Sequence, residues 1–242
     1  GSFFSNAINT DFGKIKTDRL YLMNDNGYTV SARIYIPKTA TQEAPAPAMI
    51  ICPGGDSPSD LLTPWASEIA RRGFVVALVD YTGCGDTEVD NASQYWTSHG
   101  AMELETIYDY LANRPFVDAT QIGVGGHSMG SLYSYCLSTK RQVSLVISDV
   151  IYSEAMPTYN LDFVQISGQH DEGLLARVNK IDELFTDPFL TELFGTDEIE
   201  PNKLYGSWED HNARIFYVVN QTHADDMYWG QFVRLVVDSA MN

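Results

Sequence analysis

The chain has 242 residues, 44% hydrophobic and 12% aromatic, enough to bury one large core and read as a single domain over 1–242. Its formal charge of −17, from 32 acidic against 15 basic residues, argues against a nucleic-acid partner, because phosphate binding needs clustered Lys and Arg. The same charge disfavours adsorption to an anionic membrane surface.

The elements follow in order. Residues 14–23 and 29–37 read as antiparallel strands joined by the tight-turn sequence Asn24-Asp25-Asn26-Gly27. After a surface loop containing Pro45 and Pro47, residues 48–52 form a short, wholly apolar run, as expected of a strand covered on both faces. Residues 61–72 carry Leu61, Leu62, Trp65 and Ile69 at helical spacing, with Gly73 as the stop. Residues 74–80 are the next buried strand, and a helix from about His99 ends at Arg114-Pro115.

Gln121-Ile122-Gly123-Val124-Gly125-Gly126-His127-Ser128-Met129-Gly130 is the most informative stretch. The bare G-x-S-x-G pattern arises by chance in roughly 8% of chains this long, so its context decides. Ile122 and Val124 supply a strand before it, and Leu132, Tyr133, Cys136 and Leu137 an apolar helix face after it. A tight strand-to-helix turn of this kind holds a serine in strained backbone geometry with its oxygen exposed. Strand alternation turns His127 away from that serine.

Residues 143–147 are a further buried strand, followed closely by another at 161–168, so no large cap fits between them. The exit loop of the second strand carries Gln169-His170-Asp171-Glu172-Gly173, and the strand at 213–220 exits into Gln221-Thr222-His223-Ala224-Asp225-Asp226. An acid and a histidine thus sit past the carboxyl ends of strands, in the order serine, acid, histidine. The residues between them, 182–210, read either as a small helical lid or as a packing helix with surface loop. A last helix from Ala224 is expected to bury Met227, Phe232, Val233, Val236 and Val237.

Four pieces taken together resemble the α/β-hydrolase superfamily over nearly the whole chain. They are Cys52-Pro53-Gly54-Gly55, the segment Asp80-Tyr81-Thr82-Gly83-Cys84-Gly85-Asp86-Thr87, the serine turn, and the Gly168…Asp171 and Thr222-His223 pair. The likeness is to serine esterase and dienelactone-hydrolase-like domains, particularly a bacterial group whose hydrolase domain is flanked by membrane segments. Two positions depart from the pattern: Pro53 stands where an oxyanion-loop histidine is usual, and Thr82 where an arginine is usual. Dienelactone hydrolases proper use cysteine where this chain has Ser128.

The resemblance implies an α/β fold: a mostly parallel central sheet with an antiparallel N-terminal hairpin, helices on both faces and no large cap. It implies a triad of Ser128, Asp171 and His223 cleaving carboxylic esters through an acyl-enzyme, with a small-molecule ester or acyl substrate and no cofactor. Asp149 occupies the other position at which this fold places its acid; Gly168-x-x-Asp171 is the commoner form. The backbone N–H groups of Met129 and Gly55 are the oxyanion donors, since Pro53 has no N–H. Asp80 and Asp86 are read as fixing loops through backbone hydrogen bonds. The alternatives are a peptidase or amidase of the same fold, and a non-catalytic domain kept for binding.

His170, Asp171, Glu172, His223, Asp225 and Asp226 lack the i, i+4 histidine pairing of metallohydrolases, so no metal is expected. Tyr81, Tyr95, Trp96, Tyr152, Tyr159 and Trp229 fall near carboxyl-end loops as candidate pocket walls, though each taken singly reads more readily as core or surface packing than as a substrate contact. Cys52 and Cys136 read as small buried hydrophobes. Gly1-Ser2 looks like a cloning remnant, and an amphipathic pattern still runs at Met241-Asn242, so the chain is expected to be an excised piece of a longer protein. The resemblance implies an extracytoplasmic or cell-surface domain anchored by flanking spans, with a cytoplasmic setting as the alternative.

Overall fold

A computed structural model describes residues 7–55, 57–88, 99–149, 159–228 and 230–241. Nine strands form one sheet: β1 (Ile15–Met23), β2 (Thr29–Pro37), β3 (Ala46–Cys52), β4 (Val75–Val79), β5 (Val117–Gly126), β6 (Leu145–Ser148), β7 (Asp162–Gly168), β8 (Leu204–Tyr205) and β9 (Arg214–Val219). Their order is β1-β2-β4-β3-β5-β6-β7-β9-β8. From β4 to β9 every neighbour is parallel, while the β1–β2 hairpin and β8 are antiparallel additions at the edges. The helices are α1 (Thr63–Arg71), α2 (His99–Ala112), α3 (Met129–Lys140), the single turn α4 (Glu172–Leu175), α5 (Pro188–Phe194) and α6 (Gly230–Ala240).

The pleat divides the apolar strands between two cores. Ala48, Ile50 and Cys52 face one side with Val124, Tyr133, Leu137 and Phe216, under α2 and α3. Met49 and Ile51 face the other with Trp65, Ile69, Val233, Val236 and Val237, under α1 and α6. Burial on both faces is why these strands read as unbroken apolar runs rather than alternating ones. Among the described residues, no helix is long and apolar enough to cross a membrane.

α3 is seated on more than the apolar stripe its sequence suggests. Leu132 and Cys136 are only partly buried, whereas Ser131, Ser134, Ser138 and Tyr135 are fully buried. The serines turn their hydroxyls onto nearby carbonyls, Ser134 Oγ to Gly130 O at 2.8 Å and Ser138 Oγ to Tyr135 O at 2.7 Å. A short side chain that satisfies itself locally lets a helix lie close to a sheet.

The segment 182–210 contributes β8, which the sequence reading had not resolved, and places Leu184, Leu190, Phe194 and Ile199 in the core. Phe194 packs edge-on against Phe163 at 6.2 Å, and Phe185 against Phe216 at 5.5 Å.

Candidate active site

Strand order reverses around β3: β4 lies on one side of it and β5 on the other. A crevice therefore opens at the carboxyl ends of β3 and β5, where this class of sheet holds its ligands. Cys52 and Gly126 are register partners at those ends, and the His127 N–H donates to Cys52 O at 3.1 Å. The loops after the two strands, Pro53–Gly55 and His127–Met129, are consequently neighbours.

Ser128 occupies the turn between β5 and α3 with φ 54° and ψ −121°. A non-glycine residue in this region is strained, and the neighbouring glycines explain how the turn forms. A Cβ on Gly126 would lie 2.1 Å from the Gly130 carbonyl group, and one on Gly130 would lie 2.3 Å from Cys52 O. Strand, turn and helix meet with no room for a side chain at either position. Ser128 remains partly exposed.

Two and three parallel pairings away from β5, β7 and β9 end in matched register, Gly168 beside Val219. Their exit loops are joined by Gln169 N to Val219 O at 2.7 Å and His170 N to Gln221 O at 2.9 Å. This stitching brings Asp171 and His223 together, with His223 Nδ1 3.0 Å from Asp171 Oδ2. The other carboxylate oxygen of Asp171 accepts the Leu174 N–H at 2.9 Å as the N-cap of α4. Burial pushes the Asp171 carboxyl upward, but the hydrogen bonds from His223, Leu174 and Gly173 outweigh it and hold the group below its ordinary range. An ionised Asp171 can only accept, so Nδ1 of His223 carries a proton and Nε2 is free to act as a base. The bond to Asp171 is the main influence raising the imidazole, opposed by burial and aided by the charges of Asp149 and Glu172.

Asp149 does not bond the His223 ring. Its Oδ1 accepts the Ser128 N–H at 2.6 Å and the Ser131 hydroxyl at 2.8 Å, while its own carbonyl accepts Gln165 Nε2 at 2.7 Å and Ser167 Oγ at 3.0 Å. It lies beneath the serine turn, fully buried, and that burial raises its carboxyl.

His127 departs from expectation. β5 ends at Gly126, so strand alternation no longer governs the next residue, and the side chain turns toward the histidine loop rather than away. Its ring lies 4.6 Å from that of His223, and its Nε2 is 2.9 Å from the His223 carbonyl oxygen. Neither this contact nor the seat of Asp149 was visible in the sequence; only the end of the strand pattern at Gly126 hinted at the first.

On the opposite side of Ser128, α3 begins at Met129, whose N–H has no acceptor among the described residues. The Pro53–Gly55 loop packs on the Met129 side chain: a Cβ at Gly55 would lie 3.5 Å from Met129 Sδ. Tyr81 donates its hydroxyl to Pro53 O at 2.9 Å and stacks edge-on against Tyr133 at 4.8 Å. Ser128 Oγ makes no hydrogen bond among the described residues, to His223 or to any other group. Free enzymes commonly hold such contacts long and tighten them only around a substrate.

Of the other expected residues, Asp80 fixes its surroundings mainly through side chains, not backbone. It takes Arg19 Nη1 at 2.9 Å, Ser31 Oγ at 2.6 Å and Ser59 Oγ at 2.5 Å, tying β1, β2 and the turn before α1 together. Thr82 has its N–H on buried Glu103 at 3.2 Å. Tyr81 is a core residue, and Tyr159 sits at the amino end of β7, its hydroxyl held by Ser138 O and Arg141 O, so it lines no carboxyl-end pocket. Tyr95, Trp96, Tyr152 and Trp229 lie outside the described residues. Buried Cys52, its thiol pushed up to about 12 by burial, is no nucleophile.

His127, Asp149 and His223 offer ligand atoms within 4.8 Å of one another. The two rings stand 4.6 Å apart, tilted by 35°, and His127 Nε2 is committed to the His223 carbonyl. A nitrogen that donates its proton to a carbonyl has no lone pair for a metal, so Nε2 of His127 is not an available ligand.

Comparison with known proteins places this geometry. The model of the prolyl oligopeptidase family (Peptidase_S9) matches residues 63–144, a segment that holds Ser128 but neither Asp171 nor His223. Among curated proteins no match is significant. An esterase of Pyrococcus furiosus superposes with a TM-score of 0.67 at 12% identity, covering 96% of this chain and 94% of that one. A dienelactone hydrolase-like promiscuous phosphotriesterase from metagenomic libraries gives 0.63 at 13% identity, covering 94% and 99%. Oligopeptidase B of Leishmania major gives 0.62 at 12% identity, covering 95% of this chain but 38% of that one. Sheet order, serine turn and structural likeness agree that this chain has the α/β-hydrolase fold.

Proposed function

We propose that the protein is a serine hydrolase that cleaves carboxylic esters through an acyl-enzyme. The observation that carries this reading is a strained, accessible serine at a strand-to-helix turn, on the same sheet rim as a histidine bonded at 3.0 Å to a fully buried aspartate.

In this reading Ser128 Oγ adds to the substrate carbonyl while His223 Nε2 takes its proton. The tetrahedral oxyanion is held by the N–H groups of Met129 and Gly55, the former at the positive end of α3. His223 then gives the proton to the departing alcohol, leaving an ester on Ser128. Water, deprotonated by the same nitrogen, releases the acid and restores the serine. Asp171 keeps the proton on Nδ1 throughout and stabilises the imidazolium that forms.

The prolyl oligopeptidase match over 63–144 favours a second reading, in which the same groups cleave an amide. Fluorophosphonate labelling followed by peptide mapping tests the chemistry common to both. Adduct on Ser128, absent in Ser128→Ala and weakened in His223→Ala, is the expected result; folded protein that takes no label means a binding domain instead. Short-chain p-nitrophenyl esters against aminoacyl-p-nitroanilides then decide between ester and amide.

A further inference from the structure

Beyond the triad, His127 is a buried titratable group at this site that the chemistry above leaves without a task. It is 3% exposed and immediately precedes the nucleophile. Its Nε2 faces two oxygens, the His223 carbonyl at 2.9 Å and Asp149 Oδ2 at 3.4 Å. A carbonyl oxygen can only accept, so Nε2 carries a proton and donates it there. The opposite nitrogen, Nδ1, has no hydrogen-bond partner among the described residues and lies against Gly54, where a Cβ would come within 3.1 Å. The ring is thus wedged between the oxyanion loop and the histidine loop.

We propose that His127 is a positioning residue that sets the height of the catalytic base above the nucleophile. The inference rests on the hydrolase reading and deepens it. Asp171 fixes the tautomer and the face of the His223 ring, but it does not fix the backbone from which that ring hangs. Among the described residues, two hydrogen bonds reach the backbone groups of His223 itself: its N–H on exposed Glu172 at 3.2 Å, and its carbonyl on buried His127. The exposed one competes with water, whereas the one to His127 has a buried donor and is better shielded. Asp149 completes the device. One of its oxygens takes the Ser128 N–H and the other flanks His127 Nε2, so nucleophile and base are registered against a single buried carboxylate. Misplacing a reacting group by about 1 Å costs on the order of 100-fold in rate, which is why such a strut matters.

Two amide substitutions separate this role from simple packing. In His127→Gln the amide nitrogen reaches about as far as Nε2, whereas in His127→Asn it ends near the place of Nδ1 and cannot reach the carbonyl. The measurements are the second-order rate of fluorophosphonate labelling at Ser128, kcat and KM on p-nitrophenyl acetate, and Tm. The Asn variant is expected to label and turn over about 10- to 100-fold more slowly with KM within about twofold, and the Gln variant to recover most of that loss at a similar Tm. Should the Asn variant not fold, His127→Met, equal in reach and without a donor, takes its place. Equal rates for Gln and the donor-free variant, or wild-type rates for both, overturn the proposal. A folded wild-type protein that takes no label overturns the hydrolase reading itself.

Discussion

Asp171 is completely buried, yet one of its oxygens reaches a half-buried ring, that of His223, at 3.0 Å. The pairing joins the exits of two parallel strands and leaves the far nitrogen of the ring without a hydrogen-bond partner among the described residues. Asp171→Asn should preserve the fold and offer Nδ1 a donor where it needs an acceptor, flipping the tautomer. A fall in kcat of about 10³- to 10⁴-fold on the ester substrate is expected. Asp149→Asn keeps an acceptor for the Ser128 N–H and should lose far less. Equal losses in the two variants would move the acid to Asp149.

The same bond makes activity and stability diverge with pH. His223 is raised above 6.5, chiefly by Asp171, and the base must be neutral to work, so the acid limb of kcat/KM should lie above 6.5. Stability has the opposite sign for this group. A raised imidazole contributes fully below its unfolded value, about 6.5, and that contribution is lost as pH climbs through the folded value. Asp171, held low, contributes above about 3.9 and loses its part as pH falls through its own folded value. The pair therefore stabilises the fold most at mildly acidic pH, where the enzyme is protonated and idle. Tm and kcat/KM against pH should show the two optima apart, and Asp171→Asn should draw the acid limb down. An acid limb at or below 6.5 in the wild type would refute the assignment.

The tightness of the serine turn predicts sharply different outcomes for three glycines. Alanine at Gly126 or Gly130 would drive a Cβ to within 2.1 or 2.3 Å of backbone, which no rotamer relieves. Destabilisation of more than about 3 kcal/mol is expected, measured by urea unfolding, with loss of labelling. Gly55→Ala meets the Met129 side chain, nearest at Sδ 3.5 Å away, an ordinary contact, and should fold with a Tm near wild type.

How much of this was legible in the residues differs by length scale. The parallel strands and the turn at Ser128 were readable because both are local: an apolar run is covered on two faces, and G-x-S-x-G constrains five consecutive residues. β8 escaped notice because two residues, Leu204 and Tyr205, pair only once β9 is in place. The contacts of His127 and Asp149 were hidden for a different reason. Each depends on where the exit of one strand ends relative to another, and a pattern of period two stops informing once the strand stops at Gly126. Asp80 was seen as a loop residue, but its partners Arg19, Ser31 and Ser59 come from three separate segments.

Tyr81 supplies the last test, because it links the core to the oxyanion loop by one atom. Its hydroxyl donates to Pro53 O at 2.9 Å in a fully buried setting, and burial raises it so far that it stays a neutral donor. Tyr81→Phe keeps the ring and its packing on Tyr133 while leaving that carbonyl without a donor. A buried acceptor so stranded costs about 1–3 kcal/mol, so Tm should fall modestly. Because Pro53 opens the loop that presents Gly55, kcat should drop with KM little changed, as for any loss felt mainly in the transition state. If kcat holds at the wild-type value while Tm falls, the loop's N–H groups are set by Met129 packing alone and Gly55 is not positioned through Tyr81.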